Sequence, residues 1–156
     1  MKKIRVLFVC LGNICRSPMG EFIFKDMVKR CGYENLFEIA SAGTSSEEAG
    51  NPVYPPARAE LAKHGISCLG KYAVKYLPTD YNKYDYILAM EERHVRSVCR
   101  ISPDTEKKVF RLRDFCKQPS DIADPWYTGD FKTAYAEIEE GCSDFLRWLK
   151  MKGVIE

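Results

Sequence analysis

The chain lacks any apolar run near the roughly 18 residues that a membrane-spanning helix needs, which excludes a transmembrane protein. It also lacks internal repeats, low-complexity tracts and long linkers, and these absences exclude solenoids, fibrous proteins and disordered chains. Neither sign of charge predominates: the chain has 24 basic and 22 acidic residues. The net charge of +2 is too small for a dedicated nucleic-acid binder. From 156 residues we expect one globular domain over residues 1–156.

Histidine is scarce, and cysteine occurs without the spacing of a metal site or a disulfide framework. The chain has two histidines and seven cysteines, an odd number with no Cys-x-x-Cys pair, so we expect neither a zinc site nor a closed set of disulfides. The N-terminus differs from a signal peptide because Arg5 interrupts its apolar run and no small-residue cleavage site follows. We therefore expect a cytoplasmic protein with free thiols, with secretion by a route that needs no signal peptide as the alternative.

Apolar patterns of strand and helix type alternate along the whole chain. Predicted strands cover residues 4–9, 37–42, 84–90 and 108–112, and predicted helices cover 17–32, 57–64, 91–100 and 130–151. Ser17 is the predicted N-cap of the first helix and Pro18 its first residue. The alternation predicts an α/β fold with a mainly parallel sheet covered by helices on both faces. Ligands of such folds bind beyond the carboxyl ends of the strands, which directs attention to loops 10–17, 43–56 and 113–129.

The loop after the first predicted strand carries the strongest chemical signal. It reads Cys10-Leu11-Gly12-Asn13-Ile14-Cys15-Arg16-Ser17-Pro18. A cysteine six residues before an arginine is a weak signal by itself, but here the pair lies between a buried strand and a helix N-terminus. Gly12 and Asn13 tolerate left-handed backbone, so the loop amides can turn inward and, with the helix dipole, bind an anion.

Three side chains of this loop suit phosphoryl transfer. Cys10, surrounded by amide donors, is expected to exist largely as the thiolate. Arg16 presents a planar fork that matches two oxygens of a tetrahedral oxyanion, and Ser17 can donate a hydrogen bond to the thiolate. The combination predicts transfer through a covalent cysteinyl intermediate. The alternative is a buried structural cysteine followed by an ordinary surface arginine.

The reaction also needs an acid, because a phenolic leaving group departs far better when it is protonated. Neither histidine is well placed, and the carboxylate candidate is Asp124, which the following proline holds in an extended conformation. The neighbouring Trp126 and Tyr127 can wall a pocket and desolvate the carboxyl, which favours its protonated form. An aspartate that only caps a turn is an equally good interpretation of the local sequence.

Four segments together carry a resemblance to a known family: residues 6–19, Ser41-Ala42-Gly43-Thr44, residues 84–90 and Asp124-Pro125-Trp126-Tyr127. The chain resembles the low-molecular-weight protein tyrosine phosphatases over nearly its whole length. The resemblance implies a flavodoxin-like, doubly wound, four-stranded parallel sheet in the order 2-1-3-4. It also implies hydrolysis of protein phosphotyrosine and small aryl phosphates, with inorganic phosphate as product and competitive ligand.

The resemblance assigns roles to residues of this sequence. Cys10 would be the nucleophile, Arg16 the phosphate clamp, and Asp124 the general acid and then the general base towards water. The residues expected to bind phosphate and substrate are Leu11, Gly12, Asn13, Ile14, Cys15, Ser17, Glu47, Trp126 and Tyr127. Neither a metal nor an organic cofactor is implied, because Arg16 and the loop amides supply the positive field. Nucleic acid and membrane are not expected as partners.

Two positions bear on regulation and specificity. In the family, the cysteine that matches Cys15 can form a reversible disulfide with the nucleophile, and here Cys10 and Cys15 lie on the same tight loop. Where the family usually has an aromatic wall, this chain has Ser45-Ser46-Glu47-Glu48. Glu47 is therefore expected to bring negative charge to the mouth of the site and to disfavour acidic phosphopeptides.

Three other functions are alternatives. Protein-arginine phosphatases, a branch of the same family, have a small threonine where this chain has Ile14, and a bulky apolar side chain favours a flat phenol over a guanidinium. A thiol-coupled arsenate reductase needs a resolving cysteine pair in the middle of the chain, whereas Cys68 and Cys99 are far apart. The third alternative is a phosphate-binding module without catalysis, and the intact set of nucleophile, arginine and acid argues against it.

Overall fold

The computed structural model describes residues 2–156, which contain a sheet of four parallel strands. The strands are β1 (Ile4–Cys10), β2 (Phe37–Gly43), β3 (Tyr86–Ala89) and β4 (Val109–Arg111). Their order across the sheet is β2-β1-β3-β4, and each neighbouring pair is parallel. This order confirms the expected doubly wound arrangement, and it brings the carboxyl ends of all four strands to one edge of the sheet.

Helices cover both faces of this sheet. They are α1 (Arg16–Arg30), α2 (Pro55–Lys63), α3 (Glu92–Ile101), α4 (Pro125–Thr128) and α5 (Phe131–Met151), with 3₁₀ turns at Glu34–Leu36, Pro78–Lys83 and Leu112–Phe115. Successive residues of a strand point to opposite faces, and β1 therefore feeds two cores. Val6 and Phe8 pack with residues of α1, α2 and α5, whereas Leu7 and Val9 pack with Val98 of α3 on the other face.

The longest helix, α5, is held on the sheet by an apolar stripe. The stripe follows the helical spacing of steps of four and three: Tyr135, Ile138, Cys142, Phe145 and Leu149 are buried, and Phe131 at its start is partly buried against the same core. Full burial of one large apolar side chain contributes about 1.5–3 kcal/mol, so the stripe anchors the helix along its length. Neither α5 nor any other helix within residues 2–156 combines the length and the apolar character needed to cross a membrane.

The predicted boundaries are close to the observed ones, with one error at the start of α1. This helix begins at Arg16 with Cys15 as its N-cap. The prediction of Ser17 as N-cap is wrong because its hydroxyl lies 2.9 Å from Cys10 Sγ and is engaged there rather than with the helix amides. Of the other elements, β3 is shorter than predicted, and the predicted loop 113–129 contains the single turn of α4.

Candidate active site

The loop between β1 and α1 is tied to the segment after β2 by its carbonyl oxygens. The Cys10 carbonyl accepts a hydrogen bond of 2.9 Å from the Thr44 N–H, and the Leu11 carbonyl accepts one of 2.9 Å from the Ser45 N–H. Because these carbonyls point away from the loop's interior, the neighbouring amides are turned towards it. Such a run of inward amides is what an anion-binding loop requires.

The tight turn of the loop depends on Asn13 and on two glycines beside it. Asn13 has a φ of 59°, in the left-handed region, as its residue type predicts. Of the two residues that tolerate this conformation, only Asn13 adopts it, and Gly12 does not. Its missing side chain instead makes room for Glu48, whose Cγ would lie 3.2 Å from a Cβ at Gly12. Gly43 ends β2 against the loop, where a Cβ would lie only 2.7 Å from the Leu11 carbonyl oxygen.

Cys10, the last residue of β1, faces two hydrogen-bonding groups. Its Sγ lies 2.9 Å from Ser17 Oγ and accepts a hydrogen bond of 3.3 Å from the Asn13 N–H. Ser17 Oγ accepts a hydrogen bond of 2.8 Å from Asn13 Nδ2, which leaves the hydroxyl hydrogen of Ser17 free to point at the sulfur. Cys10 Sγ is therefore placed where both the Ser17 hydroxyl and the Asn13 N–H can donate to it.

The second cysteine of the loop, Cys15, is a thiol of a different kind. Burial, together with the negative charges of Cys10 and Asp124, raises the pKa of Cys15 to about 12. Since the thiolate is the reactive form of cysteine, Cys15 is a poor nucleophile at neutral pH. The two cysteines of the loop are therefore chemically distinct although they lie on the same turn.

The Arg16 guanidinium is almost completely buried at the start of α1, with 2% of the residue exposed. Its Nη1 donates hydrogen bonds to Glu91 Oε2 at 2.5 Å and to the Ile122 carbonyl at 2.6 Å. Its Nη2 lies 3.3 Å from Asp124 Oδ2. A buried charge needs partners of this kind, and they hold the plane of the guanidinium beside the loop.

Glu91 holds the Arg16 guanidinium, and no motif in the sequence predicts this contact. Burial alone would raise the pKa of this carboxyl, but the hydrogen bond and charge of Arg16 outweigh burial and lower the pKa below its usual value. Glu91 is thus ionised and holds one side of the guanidinium in place. The available signal was its position just after β3, at the carboxyl edge of the sheet where ligands bind.

The two carboxylate oxygens of Asp124 face different partners. Its Oδ1 accepts a hydrogen bond of 3.1 Å from the Trp126 N–H and so caps α4. Its Oδ2 is the oxygen that faces the Arg16 guanidinium at 3.3 Å. The residue is therefore a helix cap and, at the same time, a carboxyl group held beside the loop.

Ten of the twelve predicted site residues line one cavity of about 190 Å³. Its lining residues are Cys10, Leu11, Gly12, Ile14, Cys15, Arg16, Ser45, Glu47, Glu48, Asp124, Trp126 and Tyr127. Ser45 and Glu48 are additions to the predicted set. Asn13 and Ser17 lie behind the wall of the cavity, where both contact the Cys10 sulfur. The two aromatic residues, Trp126 and Tyr127, are exposed at the mouth.

His94 lies close to Arg16 and Glu91 as a neutral, buried histidine. It is 1% exposed, and its Nδ1 accepts a hydrogen bond of 3.2 Å from the Glu91 N–H. Burial and the charge of Arg16 lower the pKa of His94 to about 4. At neutral pH the ring is therefore uncharged and does not compete with Arg16 for the Glu91 carboxylate.

The lowered pKa of His94 predicts a loss of stability in mild acid. The unfolded histidine takes up a proton near pH 6.5 and the folded one only near 4, so stability that is fully present above pH 6.5 is lost as the pH falls. Between pH 7 and pH 5, the free energy of unfolding should fall by about 2 kcal/mol more in the parent protein than in His94→Gln, whose amide can still accept from the Glu91 N–H. Urea titrations at the two pH values measure this difference, and equal losses in both proteins would contradict the prediction.

Residues 2–156 contain one group of side chains with the composition of a metal site. Ligand atoms of Cys116, Glu140 and Asp144 lie within 4.8 Å of one another. Arg113 already pairs with Glu140 at 2.7 Å, and Arg147 pairs with Asp144. The arginines thus neutralise both carboxylates, and this group lies outside the lining of the cavity described above.

A nucleophilic sulfur at an anion-binding loop is the chemistry of the cysteine-dependent phosphatases, and the fold and the site define this class of protein. Comparison with known proteins gives the family. The model of the family described as low molecular weight phosphotyrosine protein phosphatase matches residues 5–154. The chain belongs to this family, as the sequence predicts.

Individual relatives agree with the family over nearly the whole chain. The low molecular weight protein-tyrosine-phosphatase YfkJ of Bacillus subtilis is 37% identical over 146 residues, which cover 92% of this chain and 94% of YfkJ. PtpA of Staphylococcus aureus (strain MRSA252), named likewise, is 33% identical over 147 residues, which cover 94% of each chain. These relatives confirm the prediction of a cysteine-dependent protein-tyrosine phosphatase.

Solved structures agree with the fold. The crystal structure of YfkJ from Bacillus subtilis has a TM-score of 0.94 at 35% identity and covers 97% of this chain and 98% of that chain. Vibrio vulnificus Wzb in complex with benzylphosphonate has a TM-score of 0.84 at 26% identity and covers 94% of this chain and 99% of that chain. The predicted fold class is thereby confirmed.

Proposed function

We propose that the chain hydrolyses phosphotyrosine in proteins, and small aryl phosphates, through a cysteinyl-phosphate intermediate. Cys10 is the nucleophile, Arg16 the phosphate clamp, and Asp124 the general acid and then the general base. The observation that supports this most strongly is that all three side chains face the same cavity, although Asp124 is distant from the other two in the sequence. Membership of the phosphatase family supports the same assignment.

In the first step, Cys10 Sγ attacks phosphorus opposite the ester oxygen. The S–P bond forms as the P–O bond to the phenol breaks, and the protonated Asp124 carboxyl gives its proton to the departing oxygen. Arg16 and the loop amides bind the other phosphate oxygens and compensate the charge that develops on them. The products of this step are the tyrosine phenol and a cysteinyl-phosphate.

In the second step, a water molecule displaces the sulfur. Asp124, now a carboxylate, takes a proton from the water as the water oxygen attacks phosphorus. The S–P bond breaks and its electron pair returns to Cys10 Sγ, where hydrogen bonds from Ser17 and Asn13 stabilise the thiolate. Inorganic phosphate leaves, and because it fits the same loop it is also a competitive ligand.

Binding of a phosphate ester changes the pairing of Arg16. In the free protein, Nη2 faces Asp124 Oδ2 at 3.3 Å while Glu91 holds Nη1. A phosphate dianion competes with Asp124 for Nη2, and its binding releases the Asp124 carboxyl from the guanidinium. Glu91 keeps the rest of the guanidinium in place during this exchange of partners.

The walls of the cavity suit a flat phenol. Ile14 supplies an apolar wall, and the exposed rings of Trp126 and Tyr127 offer faces on which an aromatic ring can stack. Wzb binds benzylphosphonate, a phosphonate on an aromatic group, which supports an aryl phosphate as the substrate. We also propose that nucleic acid and membrane play no part, and that the protein works in the cytoplasm, where seven free thiols stay reduced.

A panel of three substrates tests the proposed function. Purified protein, with no metal added, is given an aryl phosphate, phosphoarginine, or arsenate with thioredoxin. We expect rapid hydrolysis of the aryl phosphate and no arsenate reduction. Faster hydrolysis of phosphoarginine would favour the protein-arginine phosphatase, and phosphate binding without turnover would favour the binding module. Arsenate reduction without aryl phosphate hydrolysis would overturn the proposal.

The acidic mouth of the cavity predicts a preference for basic phosphopeptides. Glu47 is exposed there, and Glu48 is partly buried, with its Oε2 accepting a hydrogen bond of 2.6 Å from Asn51 Nδ2. At low salt, kcat/KM for a phosphotyrosine peptide with basic flanking residues should exceed that for an acidic one by about fivefold, and the ratio should shrink at high salt. Initial rates for the two peptides measure the ratio.

A matched pair of variants isolates the charge at the mouth. Glu47→Gln should bring the ratio between the two peptides closer to one. Glu34→Gln removes another exposed carboxylate, one that precedes β2 at the opposite edge of the sheet, and it should leave the ratio unchanged. Equal kcat/KM for the basic and acidic peptides in the parent protein would remove the prediction.

A further inference from the structure

Behind the loop, α1 carries a buried carboxylate for which the reaction above has no use. Glu21 is 5% exposed; its Oε1 accepts a hydrogen bond of 2.6 Å from Ser41 Oγ and lies 3.6 Å from Lys71 Nζ. We propose that Glu21 and Lys71 are positioning residues that fix the direction of the hydrogen bonds behind the loop, so that Ser17 donates its hydrogen to Cys10 Sγ. This inference rests on the proposed function of Cys10 as nucleophile.

The carboxylate sets the direction of the network at one end, because an ionised carboxylate can only accept hydrogen bonds. Ser41 must therefore donate its hydrogen to Glu21, and its Oγ has only lone pairs left for Asn13. Asn13 Nδ2 fills that place as a donor at 3.0 Å. Glu21 thus requires that the amide nitrogen of Asn13, rather than the amide oxygen, faces Ser41.

A backbone amide sets the direction at the other end, because an N–H can only donate. The Val74 N–H donates to Asn13 Oδ1 at 3.1 Å, which again leaves Asn13 Nδ2 for the hydroxyl groups. Lys71 lies on the same segment as Val74, and its Nζ donates to the Ser41 carbonyl at 2.9 Å. The segment of residues 71–74 therefore contacts the network at two points, Asn13 and Ser41.

The two fixed ends determine the role of Ser17. Its Oγ accepts from Asn13 Nδ2 at 2.8 Å, so its own hydrogen is left to donate. The possible acceptors are Cys10 Sγ at 2.9 Å and the Ala42 carbonyl at 3.4 Å. The shorter contact, to a charged acceptor, is the stronger hydrogen bond. The network thus directs the hydroxyl hydrogen of Ser17 to Cys10 Sγ.

Lys71 supplies a buried positive charge at the carboxylate end. A buried carboxylate needs a paired cation, and Lys71 Nζ lies 3.6 Å from Oε1, the oxygen that accepts the hydrogen bond from Ser41. Lys71 is itself largely buried, and burial lowers the pKa of its ammonium group, so it is a weakly hydrated charge next to the carboxylate. Lys25 also contacts Glu21, but its half-exposed ammonium meets Oε2, the oxygen that does not bind Ser41.

The test measures the thiolate directly, without a substrate. The rate at which iodoacetamide alkylates Cys10, followed by mass spectrometry of its peptide, rises with the fraction of thiolate, and the pH of half-maximal rate is the readout. In Glu21→Gln, whose amide can donate to Ser41, the Ser41 hydrogen can turn towards Asn13 Nδ2 and displace it, although the Val74 N–H still holds Asn13 Oδ1. This pH should therefore rise by about one unit. The same change made in Ser17→Ala protein should add little further, because the last bond of the network is already lost.

Two variants separate positioning from simple stability. Lys25→Met removes a cation from the same carboxylate without affecting Ser41, and it should shift the half-maximal pH by less than about a third as much as Glu21→Gln. Glu21→Gln/Lys71→Met removes both buried charges, and it should be more stable than Glu21→Gln while keeping the raised half-maximal pH. The inference is overturned if Glu21→Gln leaves that pH unchanged or if Lys25→Met moves it equally.

Assays of aryl phosphate hydrolysis on the same proteins distinguish the two levels of the proposal. If the parent protein hydrolyses no aryl phosphate while the half-maximal pH shifts as expected, the proposed function fails and the positioning role of Glu21 and Lys71 stands. If hydrolysis proceeds but the half-maximal pH does not move in Glu21→Gln, the positioning role fails and the proposed function stands.

Discussion

A Cys10→Ser variant is expected to lose hydrolysis of a phosphotyrosine peptide by at least about 10⁴-fold in kcat/KM. A serine hydroxyl keeps its proton at neutral pH, and the groups that contact this position, the Ser17 hydroxyl and the Asn13 N–H, are not bases. The oxygen therefore has neither the charge of a thiolate nor a neighbour that could create it. Initial rates at equal enzyme concentration measure the loss.

The Cys10→Ser variant should still bind phosphate. Retained binding would show that the variant is folded and that only its catalytic step is lost. The loop amides and Arg16 are untouched in Cys10→Ser, so calorimetry should find inorganic phosphate bound with an affinity similar to that of the parent protein. Cys31→Ser is the matched control, because Cys31 is an exposed free cysteine outside the cavity lining, and this variant should keep full activity. Hydrolysis by Cys10→Ser at the parental rate would contradict the nucleophile assignment.

The loop that carries the proposed nucleophile and the proposed clamp could be predicted because both residues lie close together in the sequence. The position of Cys10 and Arg16 between a strand and a helix can be read from local apolar periodicity and from the turn-forming residues between them. Asp124 could be assigned only as either a cap or an acid. Its local sequence does not reveal that its two oxygens face different partners, one on α4 and one on Arg16.

The residues that support the site could not be predicted, because their partners come from distant parts of the chain. Glu91 bonds to Arg16, 75 positions away, and Lys71 bonds to the Ser41 carbonyl, 30 positions away. These contacts depend on how α1 packs against β2 and on the path of the chain between α2 and β3, which no local pattern encodes. Of these supporting residues, only Glu91 has a position in the sequence that points to the site, because it follows a strand at the carboxyl edge of the sheet.

Ser17 shows how a tertiary partner overrides a local rule. A serine before a proline matches the start of a helix, yet here the hydroxyl bonds to Asn13 and faces Cys10 instead of capping α1. A lost cap costs about 1 kcal/mol, which the two buried hydrogen bonds of the Ser17 hydroxyl can offset. The one clear error of the predicted helix boundaries thus falls on a residue of the active site, where local preferences are expected to yield.

An Asp124→Asn variant is expected to separate substrates by their leaving groups. The amide can still accept the Trp126 N–H and cap α4, but it cannot give a proton to a phenolate. For a phosphotyrosine peptide, kcat/KM should fall by about 10²- to 10⁴-fold. For p-nitrophenyl phosphate, whose leaving group is a much weaker base, the fall should be far smaller. Initial rates for both substrates at several pH values measure the difference.

The inequality of the two losses is decisive because Asp124 also touches Arg16. If its carboxylate acted only by orienting Nη2 of the guanidinium, its removal would weaken the binding of every phosphate ester alike, and both substrates would lose equally. Asp121→Asn is the matched comparison, since Asp121 lies on the same loop but accepts from the Glu92 N–H and from Arg111 outside the cavity, and it should lose little with either substrate. Equal losses in Asp124→Asn would assign Asp124 to positioning of the clamp, whereas unequal losses with unchanged phosphate affinity identify it as the proton donor.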